Sequence, residues 1–318
     1  MTHAIRSLQG FEATQVSATD LEAVFLPRHG MLGASLRHRG EELLRRVDQL
    51  PNAAARGSTA GIPLLHPWAN RLSDASYRAA GEAVTLDLES RFLHLDGNGL
   101  PIHGVPWSLL AWRVTRHTPT ALDAELEWSS EDVLGVFPFP HRLTMSAAIE
   151  PGALTITTTL VAGQHAVPVS FGFHPYFGLP SIPRSEWRLR LPQMRAIELD
   201  AFNIPTGRET PYEGFDGPLA SIAFDHGFRL DGTASTLSLA GGGRIIHVDL
   251  LAGYGFAQVF APTNDPCVAL EPMTAPTNAL VTGRGLRLVQ PGGEFTATFR
   301  IRVEDDPASA SHGPRLVR

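Results

Sequence analysis

Seven residues, Phe171-Gly172-Phe173-His174-Pro175-Tyr176-Phe177, hold four aromatic rings and one imidazole. They lie between a β-type run and a cluster of turn residues. On an extended chain Phe171, Phe173, Pro175 and Phe177 share one face, and Gly172, His174 and Tyr176 share the other. An imidazole displayed between a glycine and a phenol suits the wall of a small-molecule pocket. A core strand with a hydrogen-bonded histidine would read the same way, so the partners of His174 have to be sought elsewhere.

Three further stretches could supply them. Cys267-Val268-Ala269-Leu270-Glu271-Pro272 is an apolar strand that runs into a glutamate, with a proline expected to stop the ladder. A carboxylate at the end of a buried strand is costly without partners. Partial burial also raises its proton affinity, which suits Glu271 to general-base work. Asn98 to Gly104 is a Gly/Pro-rich loop in which His103 precedes a glycine, placed either for close approach by a ligand or simply in solvent. Gly61 to Leu72 is apolar but holds His66, Asn70 and Arg71, and its two prolines exclude a helix. Arg71 is a permanently charged fork suited to hydroxyl and carbonyl oxygens, or to a structural carboxylate. Asp225, in Phe224-Asp225-His226-Gly227, is a weaker candidate, since an aspartate in a turn is often only a cap.

Other chemistries lack their motifs. There is no pair of histidines at zinc-protease spacing, no Gly-x-Ser-x-Gly and no Gly-rich phosphate loop before a helix. Gly241 to Gly243 reads as a hairpin turn. What remains is His, Glu, Arg, Asp and aromatic rings, a set for moving protons on a polar, uncharged substrate.

The elements that must position these residues are strands. Among 318 residues, glycine (30) and proline (25) are abundant and evenly spread, and 43% are hydrophobic. That fits many short strands joined by turns around a substantial core. Clear runs are Val84–Leu88, Leu122–Trp128, Trp187–Leu191, Phe256–Phe260, Cys267–Leu270 and Thr296–Val303. Two hairpins join Leu143–Ile149 to Leu154–Leu160 and Thr236–Leu239 to Ile245–Leu250. Gly40 to Leu50 has helical spacing at Leu43, Leu44, Val47 and Leu50; a short strand over Glu42–Arg45 followed by a loop is preferred because its surroundings are β. No repeat or linker marks a boundary. The expectation is an all-β chain, one domain over residues 1–306 with two stacked antiparallel sheets, and a loose tail from Pro307.

Composition bounds the partners. The net charge of −6 does not favour nucleic acid or an anionic membrane surface. The one cysteine, Cys267, forms no internal disulfide and reads as a small buried hydrophobe. No secretory leader and no membrane-length apolar run is visible, so a cytoplasmic protein is expected, as a monomer or homodimer.

These stretches, in this order, resemble the aldose 1-epimerase (galactose mutarotase) family. Asn70-Arg71-Leu72 looks like its Asn-Arg motif, Ile102-His103-Gly104 like its His-Gly motif, and Phe173-His174-Pro175-Tyr176-Phe177 like its second histidine motif. Phe224-Asp225-His226 is similar to its substrate-binding Asp motif, and Leu270-Glu271-Pro272 to the segment with its catalytic glutamate. The resemblance spans about residues 20 to 303. It implies the family's large antiparallel β-sandwich, the galactose mutarotase-like supersandwich. It implies Glu271 as general base, His174 as general acid, and Asn70, Arg71, His103 and Asp225 around a monosaccharide.

Trp68, Phe173, Tyr176 and Phe260 are candidates to stack on the sugar, or are core. Glu271 and His174 should face each other across a cleft, a sugar ring's width apart, with Arg71 and His103 on its floor. Anomer exchange needs no metal, nucleotide or redox cofactor. The flank of His174 departs from the Thr-rich context of the galactose enzymes, so the resemblance does not reach the identity of the sugar. A sugar-phosphate or sulfonated-sugar 1-epimerase would need extra cations near the pocket, and Val105-Pro106-Trp107 stands where such relatives carry an arginine. A non-catalytic carbohydrate-binding sandwich is the alternative of another class.

Overall fold

A computed structural model describes residues 6–232 and 234–307. Three antiparallel sheets dominate it. A nine-stranded sheet runs in the order Phe215–Pro218, Arg188–Leu191, Ser235–Gly241, Arg244–Ala252, Glu294–Asp305, Ala153–Ala162, His141–Glu150, Ala121–Trp128, Arg113–Thr118. An eight-stranded sheet carries the candidate site. Its strands are Pro205–Tyr212, Met194–Leu199, Phe224–Arg229, Phe256–Ala261, Val268–Met273, Gly172–Phe173 and Leu64–Leu65, with Tyr176–Phe177 also pairing to Val268–Met273. Five N-terminal strands between Arg6 and Glu42 form the third. The fold is the expected large antiparallel β-sandwich.

Period-two patterning sets which face is buried. In Ala121–Trp128 the residues Leu122, Ala124, Leu126 and Trp128 turn inward and the alternate ones outward. On the outer face of Ala153–Ala162, Thr157 and Thr159 bond Thr298 and Thr296 across the ladder, pairs that stabilise a sheet locally. The two large sheets meet through rings such as Phe173 and Phe299, whose centroids are 4.9 Å apart. The main apolar cluster draws on residues from Val16 to Val303. Both predicted hairpins are present; in the first, Glu150 pairs with Ala153 around Gly152 at φ 68°.

The segment from Gly40 to Leu50 differs from expectation. The strand covers only Glu41–Glu42, and a short helix, Leu50–Arg56, follows where none was predicted. The Glu42 carboxylate accepts bonds from the backbone N–H groups of Leu36 and Leu44, at 2.9 and 3.1 Å. It thereby takes the place of a ladder partner and turns the chain. The helix begins at Leu50-Pro51, tolerated in a first turn, and ends at left-handed Gly57. The tail expected from Pro307 lies, beyond Pro307 itself, outside the described residues. Among the described residues no helix is long and apolar enough to cross a membrane.

Candidate active site

The strand Val268–Met273 is central to the site. On one side it pairs with Phe256–Ala261, setting Gln258 opposite Glu271. On the other it meets two short strands in one common register, with Gly172 opposite Met273 and Tyr176 opposite Ala269. Carried across the gap between them, that register sets His174 opposite Glu271. The gap has a cause, since neither Pro175 nor Pro272 has an N–H to donate. Pro272 therefore does not stop the strand, as expected from sequence, but sits inside it beside a ladder already interrupted.

His174 Nε2 and Glu271 Oε1 are 3.2 Å apart, both side chains buried. The expected spacing of a sugar ring's width is thus replaced by direct contact. Adjacent positions on neighbouring strands leave no room for a ring between them. Neither Glu271 oxygen nor His174 Nδ1 has a hydrogen-bond partner among the described residues. The 3.2 Å approach is therefore a contact without hydrogen-bond alignment. Tyr176 lies against the pair. Its hydroxyl is 3.2 Å from His174 Nε2 and 2.6 Å from Thr59 Oγ1, and its ring stacks on the imidazole at 4.2 Å and 20°.

Burial pushes the Glu271 carboxyl well above the usual range; Asp225 adds to this and Arg71 opposes it. Burial likewise pushes His174 well below its usual value, helped by His103 and then Arg46. Both shifts favour the uncharged forms. Together they favour a protonated carboxyl beside a neutral imidazole.

Two loops form a second wall. Arg71 bridges to Ile102 and His66 to Gly104. The Asn70 N–H donates to His103 Nδ1 at 3.3 Å, while the His103 N–H donates to the Asn70 carbonyl at 2.9 Å. A neutral His103 with Nδ1 accepting must carry its proton on Nε2. Burial, then Arg71 and His94, keep it neutral by lowering its pKa to about 3. Gly104 is required here. Its φ is +66°, and a Cβ would fall 2.3 Å from the His66 carbonyl oxygen. Arg71 Nε donates to Asp96 Oδ2 at 2.7 Å, so Arg71 is both ion-paired and close enough to affect Glu271. Asn70 Nδ2 contacts Met273 Sδ at 3.3 Å.

Asp225 lies beyond Gln258. It accepts Gln258 Nε2 at 2.7 Å and Asn203 Nδ2 at 3.1 Å. Gln258 was not predicted, though the sequence carried a signal: it is the one polar residue on the face it shares with Phe256 and Phe260. Thr59 gave none. Of the aromatic candidates, Tyr176 and Phe260 flank His174, Phe260 at 6.1 Å between centroids. Trp68 and Phe173 are instead fully buried in the main core. His66 also turns into the core, with its Nε2 3.0 Å from His141 Nε2. Among the described residues no group of three or more His, Cys, Asp or Glu side chains gathers as a metal site.

Comparison with known proteins adds the family. Residues 20–302 match the family model described as aldose 1-epimerase. YihR of Escherichia coli (strain K12) is 24% identical over 261 residues, covering 76% of this chain and 80% of YihR. A galactose mutarotase-like protein from Clostridium acetobutylicum superposes with a TM-score of 0.80 at 17% identity, over 93% of this chain and 96% of its own. Galactose 1-epimerase from Lactobacillus acidophilus NCFM gives a TM-score of 0.72 at 14% identity, over 94% and 97%. These structural likenesses speak to the fold, and the match over residues 20–302 goes further: this chain belongs to the aldose 1-epimerase family.

Proposed function

We propose that the protein interconverts the α and β anomers of an aldose, with Glu271 and His174 as the proton-transfer pair. Family membership supports an isomerase of the epimerase type. The observation that carries the finer reading is the 3.2 Å approach of a buried carboxyl and a buried imidazole.

The contact distance suits the chemistry. The C1 hydroxyl oxygen and the ring oxygen are both bonded to C1, so an acid and a base serving them must be neighbours. Opening moves the C1 hydroxyl proton to the Glu271 carboxylate and the His174 proton to the ring oxygen. The C1–ring-oxygen bond breaks and the free aldehyde forms. Rotation about C1–C2 turns the other carbonyl face toward the ring oxygen. Closure returns one proton from Glu271 to the new C1 hydroxyl and one from the ring-oxygen hydroxyl to His174. Atoms and charge balance over the cycle.

The form that opens the ring, carboxylate with imidazolium, contains the same number of protons as the uncharged form that burial favours. Sugar binding therefore has to relocate one proton over a short distance, without exchange with solvent. The sugar's hydroxyls replace the solvation that the carboxylate lacks. In this reading Arg71, the His103 Nε2–H and Asp225 hold the remaining hydroxyls, and Asn70 and Tyr176 complete the walls.

The test is anomer exchange measured by NMR on glucose, galactose and other aldoses. His174→Ala and Glu271→Gln are expected to lower exchange by about 10²–10⁴-fold each, the usual share of general acid–base catalysis, with the fold intact. Near-normal exchange in either variant removes the assignment. Sugar binding without exchange in the wild type favours a carbohydrate-binding role instead.

A further inference from the structure

Arg46 belongs to none of the strands that carry the pair, yet its guanidinium is part of their surroundings. Its backbone is left-handed, φ 60°, which is uncommon for a long side chain. Its Cζ lies 4.4 Å from the centroid of the Tyr176 ring and 5.8 Å from that of Phe260. Its Nε donates to Asp265 Oδ2 at 2.9 Å. The imidazole of His174 stacks on the same Tyr176 ring at 4.2 Å. Two groups cannot both occupy one ring face at those distances. The guanidinium and the imidazole therefore lie on opposite faces, with the phenol ring between them.

We propose that Arg46, held by Asp265, is a positioning residue that clamps Tyr176 onto the His174 imidazole and keeps a fixed positive charge behind that ring. The proposal rests on the reading of His174 as a proton-transfer group and names what tunes it. Cation–π attraction favours the sandwich, and more so where water is partly excluded. Like charge opposes protonation of the imidazole to imidazolium. The groups that face His174 are Glu271 from the central strand, Tyr176 from its own segment, His103 from the second loop wall and Arg46 from behind the phenol. Thr59 reaches it through the Tyr176 hydroxyl, and Asp225 and Arg71 act on it through Glu271.

The sign follows. Losing the Arg46 charge makes protonation of the pair easier, so both limbs of an activity–pH profile move to higher pH, the acid limb most. Arg46→Gln is expected to raise the acid limb of anomer exchange, and the His174 imidazole midpoint read by NMR without sugar, by about one pH unit. Arg46→Lys retains the charge but not the planar stack. It should leave the midpoint in place and lower the exchange rate. Arg46→Met, similar in length and uncharged, replaces Arg46→Gln if that variant does not fold. An unmoved midpoint in a folded neutral variant overturns the proposal. Absence of exchange in the wild type overturns the proposed activity alone, because the imidazole titration still decides the role of Arg46.

Discussion

His174 Nε2 stands 3.2 Å from Glu271 Oε1 where the ladder between their segments is interrupted by Pro175 and Pro272. Backbone bonding lapses there, while the common register still holds the two side chains opposite each other. The proposed acid–base pair is thus positioned by strand register.

A buried glutamate that makes no hydrogen bond should cost stability as pH rises. Its folded-state proton affinity is raised, so its contribution is fully present below the unfolded pKa of 4.5 and is lost as pH rises toward the folded value. Glu271→Gln removes that slope. The thermal midpoint of the variant relative to wild type should therefore increase with pH above about 4.5. Parallel curves would contradict burial of an ionisable acid there.

Histidines give the opposite trend. His66, His103, His141 and His174 are buried with lowered proton affinity, down to about 3 for His103 and about 4 for His141, each chiefly through burial. Their contribution is present above the unfolded value of 6.5 and is lost as pH falls through it. Each one removes about 1.4 kcal/mol per pH unit, and Glu271 offsets one of the four. Thermal midpoints should fall as pH is lowered from about 6.5 to about 5. A flat profile would contradict neutral burial of these rings.

Asp225 adds negative charge near Glu271 and is held by Gln258 and Asn203. Asp225→Asn should raise KM by about tenfold, the cost of about one hydrogen bond to a charged group. It should also shift the activity–pH profile to lower pH, because the carboxyl then gives up its proton more readily. This is the reverse of the shift expected at Arg46. Steady-state exchange kinetics against pH read both effects; an unchanged KM would place Asp225 outside the sugar site.

Gly104→Ala tests the loop wall. A Cβ 2.3 Å from the His66 carbonyl cannot be accommodated at φ +66° without moving the loop. Strain of about 1–3 kcal/mol is expected, and exchange should fall because His103 moves with the backbone. Thermal unfolding together with the exchange rate checks this; a variant with wild-type stability and activity would show that the loop has slack.

Much of this was legible in the amino-acid sequence. Alternation fixed which residues of Leu122–Trp128 face the core, and the turn residues around Gly152 and Gly241–Gly243 fixed the hairpins. The order of the motifs around Arg71, His103, His174, Asp225 and Glu271 pointed to one family. Local pattern could not say which apolar rings turn inward, and so could not separate Trp68 and Phe173, which are core, from Tyr176 and Phe260, which flank the imidazole. Nor could it find Arg46 or Thr59, whose roles arise from contacts between segments more than a hundred residues apart. The spacing of the pair was likewise beyond it. Which residues stand opposite each other depends on register between strands distant in the chain, and only the folded sheet sets that register.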